Sequence, residues 1–206
     1  MGQYHKTSFL IALISPSGGG KTAILKEILK ECDNISYSIS YTTRPPRPNE
    51  VDGRDYHFIS EQKYHEMKNA DEFLEHAEVH GCLYGTSRRF IETELARRKH
   101  IIMDIDVWGA KQIMEKNVDV ITIFILPPTR DELIRRLKIR NTETAEILGV
   151  RLETAEREMQ EIWHFDYLVI NDGFSEAVQD VKTIIKAEEK KLKRYLNINE
   201  TYHGGK

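Results

Sequence analysis

Little in this sequence invites covalent cross-linking, membrane insertion or metal binding. Of its 206 residues only Cys32 and Cys82 are cysteines, too few for a disulfide framework and in keeping with a reducing compartment. No apolar run approaches the ~18 residues of a membrane span. Residues 9–14 (FLIALI) follow His5 and Lys6 as a signal peptide's apolar segment would. That run is too short, however, and a glycine-lysine loop stands where a small-residue cleavage site belongs. Gly2 has no Ser or Thr at position 6, where Lys6 stands, so myristoylation is not indicated. The eight histidines show no metal-ligand spacing; His57, His65, His76 and His80 read as surface residues. No Ser-His-Asp or Cys-His arrangement stands out, which leaves covalent nucleophilic chemistry without a candidate. A net charge of -3 gives no support to a nucleic-acid partner. There is no internal repeat and no low-complexity tract. A soluble, cytoplasmic protein without membrane or nucleic-acid partners is expected.

What is present suffices for a core: 40% hydrophobic and 31% charged residues carry no disorder signature. The length suggests one domain with inserted lobes. Four unbroken apolar runs, at 9–14, 101–105, 120–126 and 167–170, read as strands buried on both faces. Helical patterns at 22–32, 88–98, 110–115, 130–140, 144–163 and 175–196 separate or follow them. The last puts Val178, Val181, Ile184, Ile185 and Leu192 on one stripe, with Ser175 as N-cap. This alternation predicts an α/β fold with a parallel sheet covered by helices on both faces. Two segments break the rhythm. Residues 39–86 contain Pro45, Pro46 and Pro48, several aromatics and no sustained helical period, as in an inserted lobe of short strands. Residues 129–163 are helical and arginine-rich. The expected division is therefore a core of 1–38, 87–128 and 164–197, a lobe of 39–86, a lid of 129–163 and a flexible polar tail of 198–206.

One stretch carries explicit chemistry. In SPSGGGKT, Ser15, Pro16, Ser17, Gly18, Gly19, Gly20, Lys21 and Thr22 follow a buried strand and open a helix. This is nearly the phosphate-binding pattern G-x-x-x-x-G-K-[ST], with serine in place of the first glycine. In such a loop backbone N–H groups converge on phosphate oxygens, the lysine neutralises the β- and γ-phosphates, and the hydroxyl goes to Mg²⁺. The plain alternative is a glycine-rich turn capping a strand, and the strand-loop-helix context argues against it. Ser15 costs on the order of 1–2 kcal/mol if its position requires positive φ, and little if it does not.

The blocks SPSGGGKT, SYTTRPPRPNEVDGRDYHF, EFLEHAEVHGCLYGTS, MDIDVWGA, ILPPTRDELIRRLKIRNTET and VIND occur in the order seen in guanylate kinases. Over about residues 8–195 the chain resembles that family of P-loop nucleoside monophosphate kinases. The resemblance implies transfer of the ATP γ-phosphoryl group to GMP and dGMP with Mg²⁺, in purine metabolism and GMP recycling, by a monomer or homodimer. It implies that Arg44, Arg47, Tyr56 and Tyr84 hold the GMP phosphate, as guanidinium forks and hydroxyls do well. By themselves Arg44 and Arg47 read equally as a solvated basic turn or a Pro-x-x-Pro ligand.

Guanine offers N1–H and an exocyclic amine as donors and O6 as acceptor. The resemblance assigns Glu75 and Asp106 to the donors and Ser40 and Thr86 to the acceptor side; Glu75 alone would read as a surface acid. Asp104 ends an apolar strand and is the candidate Mg²⁺ partner of Thr22, while Asp106 matches the family's GMP contact. Arg136 and Arg140, four apart, share a helix face opposite Leu133 and Leu137, with Arg151 in the next helix. Such arginines are usually solvated; in the family they form, with Lys21 and Arg44, the charge that stabilises phosphoryl transfer. Asn171 matches a position near the adenine of ATP. Trp108 stands where the family commonly has glutamine, and Leu83 where it commonly has tyrosine. Two rivals remain: a relative acting on a phosphorylated sugar, which would lose the guanine readers, and a non-catalytic protein-binding domain, which would lose the phosphate loop.

Overall fold

The computed structural model describes residues 4–79, 81–116, 118–139 and 145–203. Strand β1 (Leu10–Ile14) runs through the glycine loop into helix α1 (Lys21–Glu31), and β2 (Ile35–Tyr37) follows. The next segment holds β3 (Tyr41–Thr42), β4 (His57–Phe58), α2 (Glu61–Asn69), β5 (Phe73–Val79) and β6 (Cys82–Ser87). The chain continues with α3 (Arg88–Ala96), β7 (His100–Asp104), α4 (Val107–Glu115) and β8 (Val120–Leu126). A helical pair, α5 (Arg130–Ile139) and α6 (Ala145–Gln160), precedes β9 (Tyr167–Ile170), α7 (Phe174–Glu188) and the short α8 (Ile198–His203).

The main sheet has the order β2-β7-β1-β8-β9, all pairs parallel. Its central strand is buried throughout, and alternation divides it between two cores. Ile11 and Leu13 pack with Ile24, Leu25 and Ile28 of α1 and with Val178, Val181 and Ile185 of α7. Leu10, Ala12 and Ile14 pack with Ile91 of α3 and with Val107, Ala110 and Ile113 of α4. Each such side chain contributes about 1.5–3 kcal/mol of burial, which is why a strand apolar on both faces must lie inside a parallel sheet.

The second sheet has the order β4-β3-β6-β5. Between Phe73 and Glu75 its register shifts, and the irregularity decides where three consecutive buried side chains go. Phe73 joins Tyr64 and Met67 in a small lobe core, Leu74 enters the main core, and Glu75 is left for the site.

Several expectations need correction. Segment 39–86 contains a helix, α2, held by only two buried side chains, Tyr64 and Met67, and capped by Ser60, which accepts from Lys63 N. Strand β9 is an edge strand: Leu168 and Ile170 are exposed and Val169 alone is fully buried. Helix α7 starts at Phe174 with Gly173 as N-cap, so Ser175 lies inside its first turn. Leu192 lies beyond α7 in a short 3-10 turn and is 78% exposed. The three-residue β2, with one fully buried residue, Ile35, was not anticipated. Residues 198–203, expected as tail, are helical. Of the three described surface candidates, His65 is exposed and His57 and His76 are half-buried; His80 lies outside the described residues.

At the sheet's far end a buried ion cluster ties the C-terminal segment down. Arg194 is 1% exposed. Its guanidinium lies 3.9 Å from the Phe9 ring centroid and bonds Asp119 and Glu188. Its carbonyl accepts from Thr7 N at 2.8 Å.

Candidate active site

The C-terminal ends of β1, β7, β8 and β9 form one edge, where open parallel sheets take their ligands. At β1 the chain turns into the glycine loop. Gly18 and Gly20 have φ of 89° and 94°, which glycine adopts without a Cβ penalty. A Cβ on Gly20 would also fall 2.3 Å from Asn171 Nδ2. Among the described residues only Asp71 and Arg98 are non-glycine residues with positive φ. Ser15 therefore lies in ordinary backbone, and its replacement of glycine is unstrained. Its side chain is buried against Gly19, where an added Cβ would come within 2.8 Å. The serine thus takes space that a side chain at 19 would need.

Lys21 and Thr22 start α1, and both turn to the end of β7. Lys21 Nζ is 2.8 Å from Asp104 Oδ1 and donates to Ile105 O at 2.8 Å. The Thr22 hydroxyl donates to Asp104 Oδ2 at 3.1 Å. Hydroxyl and carboxylate oxygens are the hard donors that Mg²⁺ takes, usually one or two from protein with phosphate and water completing the shell; the pair fits that ion.

The loop is held from below by Asn171, one residue past β9. Its Nδ2 donates to Gly19 O at 2.9 Å, and its own carbonyl accepts from Arg136 Nη2 at 2.9 Å. Arg136 is further oriented by Glu132 Oε1 at 2.6 Å. Hydrogen bonds from Arg135 and then Arg136 bring the Glu132 carboxyl down to about 2. Leu133 and Leu137 pack with Leu152 and Ala155, joining α5 to α6, and both leucines lie over Gly18. Arg151 is half-buried on α6; Arg140 lies outside the described residues.

On the other side of the cleft, Arg44 is clamped. Its Nη2 donates to both Glu50 carboxylate oxygens at 2.8 Å and its Nη1 to Pro45 O at 2.8 Å. Its guanidinium stands 5.3 Å from the Tyr56 ring, and the Tyr56 and Tyr84 rings are 6.0 Å apart. Arg47 contributes its backbone N–H to Glu50 at 2.8 Å, while its side chain is 67% exposed. Burial, reinforced by the Asp104 charge, pushes the Tyr56 phenol up to about 12; Tyr37 beside it is raised for the same two reasons. Both phenols remain hydrogen-bond donors at neutral pH.

The deepest part of the cleft lies between β5, β6 and α4. Cross-strand partners Glu75 and Thr86 meet there, Thr86 Oγ1 donating to Glu75 Oε1 at 2.5 Å, with both residues buried. Asp106 caps α4 by accepting from Gly109 N at 2.7 Å. Gly109 lets the two carboxylates approach, since a Cβ there would sit 2.6 Å from Glu75 Oε2 and 3.4 Å from Asp106 Oδ1. Burial drives the Glu75 carboxyl up to about 7, opposed by Thr86 and assisted by Asp106. Ser40 is buried between β2 and β3. Trp108 is 52% exposed beneath Lys111, 5.2 Å from its ring, and Leu83 donates its backbone N–H to Thr43 Oγ1.

Two carboxylates close to these groups escaped the sequence reading. Glu50, six residues after Arg44 in a proline-rich turn, obeys no periodicity that would flag it. Glu158 follows Arg151 by seven residues, a spacing that would have put both on one helix face.

A sequence model of the guanylate kinase family matches residues 7–188. The chain is similar to the guanylate kinase of Geobacter sulfurreducens, 44% identical over 188 residues, which are 91% of this chain and 93% of that one. It is similar to the guanylate kinase of Thermotoga maritima at 43% over 185 residues, 90% and 89% of the two chains. Its backbone is similar to the crystal structure of guanylate kinase from Anaplasma phagocytophilum, with a TM-score of 0.84 and 30% identity over 98% of this chain and 97% of that one.

Proposed function

The chain belongs to the guanylate kinase family, and from that premise we propose which of its residues perform each part of the reaction. The activity is ATP:GMP phosphotransfer, a nucleoside monophosphate kinase reaction with ATP as phosphoryl donor. One observation carries the assignment of the acceptor site. The buried Glu75–Thr86 pair and Asp106 meet two residues from Asp104, so base-reading acceptors adjoin the phosphate loop.

GMP is bound with its phosphate on Arg44, Arg47, Tyr56 and Tyr84 and its guanine on Glu75, Asp106, Ser40 and Thr86. Segment 39–86 is its lobe. ATP lies on the loop from Ser15 to Thr22. Asn171 supports this site by fixing Gly19 from below. An ionised phosphate oxygen of GMP attacks the γ-phosphorus; the bond from that phosphorus to the β–γ bridging oxygen breaks, and ADP leaves carrying the electron pair. No proton has to move, so no general base is required. Lys21, Arg44, Arg136, Arg140 and Arg151 supply positive charge to the equatorial oxygens, the last three from the lid of 129–163. Thr22 and Asp104 are the residues that would hold Mg²⁺, which when bound neutralises β- and γ-phosphate charge.

Base choice follows from pairing. AMP lacks the N1–H and 2-amino donors and would leave buried carboxylates unmatched, a mismatch worth up to about 10⁴ in specificity. A phosphorylated-sugar kinase and a non-catalytic binding domain are both disfavoured, because Glu75, Thr86 and Asp106 are kept together with Lys21 and Thr22. We assign the protein to the cytoplasm as a monomer or homodimer; among the described residues no helix is long and apolar enough to cross a membrane. The test is ADP formation from ATP–Mg²⁺ with GMP, dGMP, AMP and a phosphorylated sugar in parallel. Turnover of GMP and dGMP is expected; none with GMP, from folded protein, refutes the reading.

A further inference from the structure

One carboxylate facing the cleft has no part in the scheme above. Glu158 lies in the last turns of α6, and its Oε2 is buried without a hydrogen-bond partner. A buried polar atom left unpaired is costly and calls for an explanation. Packing fixes it there. Ala155, three residues before it, joins Leu133, Leu137 and Leu152, and Met159, next to it, packs on the core cluster of Ile14 and Phe124. It lies within electrostatic reach of both Lys21 at the phosphate loop and Asp106 at the base pocket. Seven residues are close to two helical turns, so Glu158 and Arg151 share one face of α6, roughly 10 Å apart along the axis.

In the proposed acceptor site the GMP phosphate, held by Arg44, Arg47, Tyr56 and Tyr84, faces the ATP loop at Lys21 while the base sits on Glu75 and Asp106, which leaves the ribose between the two. Ribose presents hydroxyl donors, and Glu158 presents an acceptor oxygen with no donor. We propose that Glu158 reads the ribose of the acceptor nucleotide, its free carboxylate oxygen accepting a hydrogen bond from a sugar hydroxyl. The inference rests on the acceptor site being that of GMP. It adds sugar recognition to that site and makes α6 contribute at both ends, phosphoryl charge from Arg151 and sugar contact from Glu158. Burial pushes the Glu158 carboxyl up to about 7, with Lys21 opposing and Asp106 assisting; a ribose donor would favour its ionised form.

The experiment is steady-state kinetics of the wild type, Glu158→Gln and Glu158→Leu with GMP, 2′-deoxy-GMP and 3′-deoxy-GMP at saturating ATP–Mg²⁺. A charge-assisted hydrogen bond predicts that the wild type prefers GMP over one deoxy analogue by about tenfold in kcat/KM. Glu158→Leu should erase that preference through KM for GMP, leaving the deoxy substrate within about twofold. Glu158→Gln, which keeps shape and an acceptor oxygen, should retain part of it, with the ratio falling about threefold. A wild type indifferent to both hydroxyls, or ratios unchanged in the two variants, overturns the proposal. A raised KM for ATP with an unchanged sugar preference does so too, since Glu158 would then act on Lys21 alone. These results are separable from failure of the kinase reading, in which the wild type would not turn over GMP.

Discussion

At the phosphate loop an ammonium and a carboxylate stand 2.8 Å apart, and a hydroxyl donates to the same carboxylate. Across the cleft, Glu75 is met by a hydroxyl, Asp106 by a backbone N–H, and Glu158 Oε2 by nothing. The two regions handle charge in opposite ways. In the loop the cation is neutralised by Asp104, the carboxylate proposed above as a metal ligand. The proposed base pocket holds acceptors short of donors, a state that guanine's N1–H and 2-amino group would relieve and adenine would not. On the proposed reading, affinity for an anion and selectivity for a base come from different electrostatic designs, joined by the two-residue step from Asp104 to Asp106.

The largest expected effect falls on the loop. Lys21→Ala should lower kcat by about 10³-fold or more while KM for GMP changes only a few-fold. A loss confined to KM for GMP would break the separation of roles. Next comes Glu75→Gln, expected to reduce the preference for GMP over AMP by about 10²-fold with a smaller effect on ATP. The same variant tests the pocket's electrostatics. Folding raises the Glu75 carboxyl from 4.5 to about 7, so the folded state holds a proton that the unfolded chain has released. Stability from this group is therefore full below pH 4.5 and declines as pH rises through about 7. The wild-type Tm minus that of Glu75→Gln should fall between pH 5 and 8; a rising difference would mean that the carboxylate is satisfied as an ion. The smallest effect is at Ser15. Because its φ is not positive, Ser15→Gly should leave kcat within about twofold and cost up to about 1 kcal/mol through unfolded-state entropy. A clear gain in stability would reveal strain at Ser15.

Long elements were legible because burial on two faces leaves a strand almost wholly apolar, as in β1 and in β8, where Thr122 is the one polar residue. Short ones were not. Strand β2 has three residues and α2 two buried side chains, too few for a period to emerge. Strand β9 misled because an edge strand carries Leu168 and Ile170 exposed, and apolarity does not tell edge from centre. The phosphate loop was readable from local chemistry alone, down to the two outcomes left open for Ser15. Arg44, Glu75 and Asp106 were legible only through family resemblance, since a bulge and a helix cap bring the carboxylates together and neither leaves a local signature. Glu158 shows the cost of reading arginines on α6 without asking what else shares their face.

Arg194 couples the C-terminal segment to the start of the central strand. The carboxylates of Glu188 and Asp119 and the ring of Phe9, at the start of the central strand, all converge on a guanidinium near the far end of the chain. Glu188, which α7 carries into the interior at 1% exposure, is met there by that guanidinium six residues on, and a buried carboxylate left without such a partner is strongly destabilising. The packing of the sheet thus depends on a side chain about as far from the proposed nucleotide site as the sheet is long.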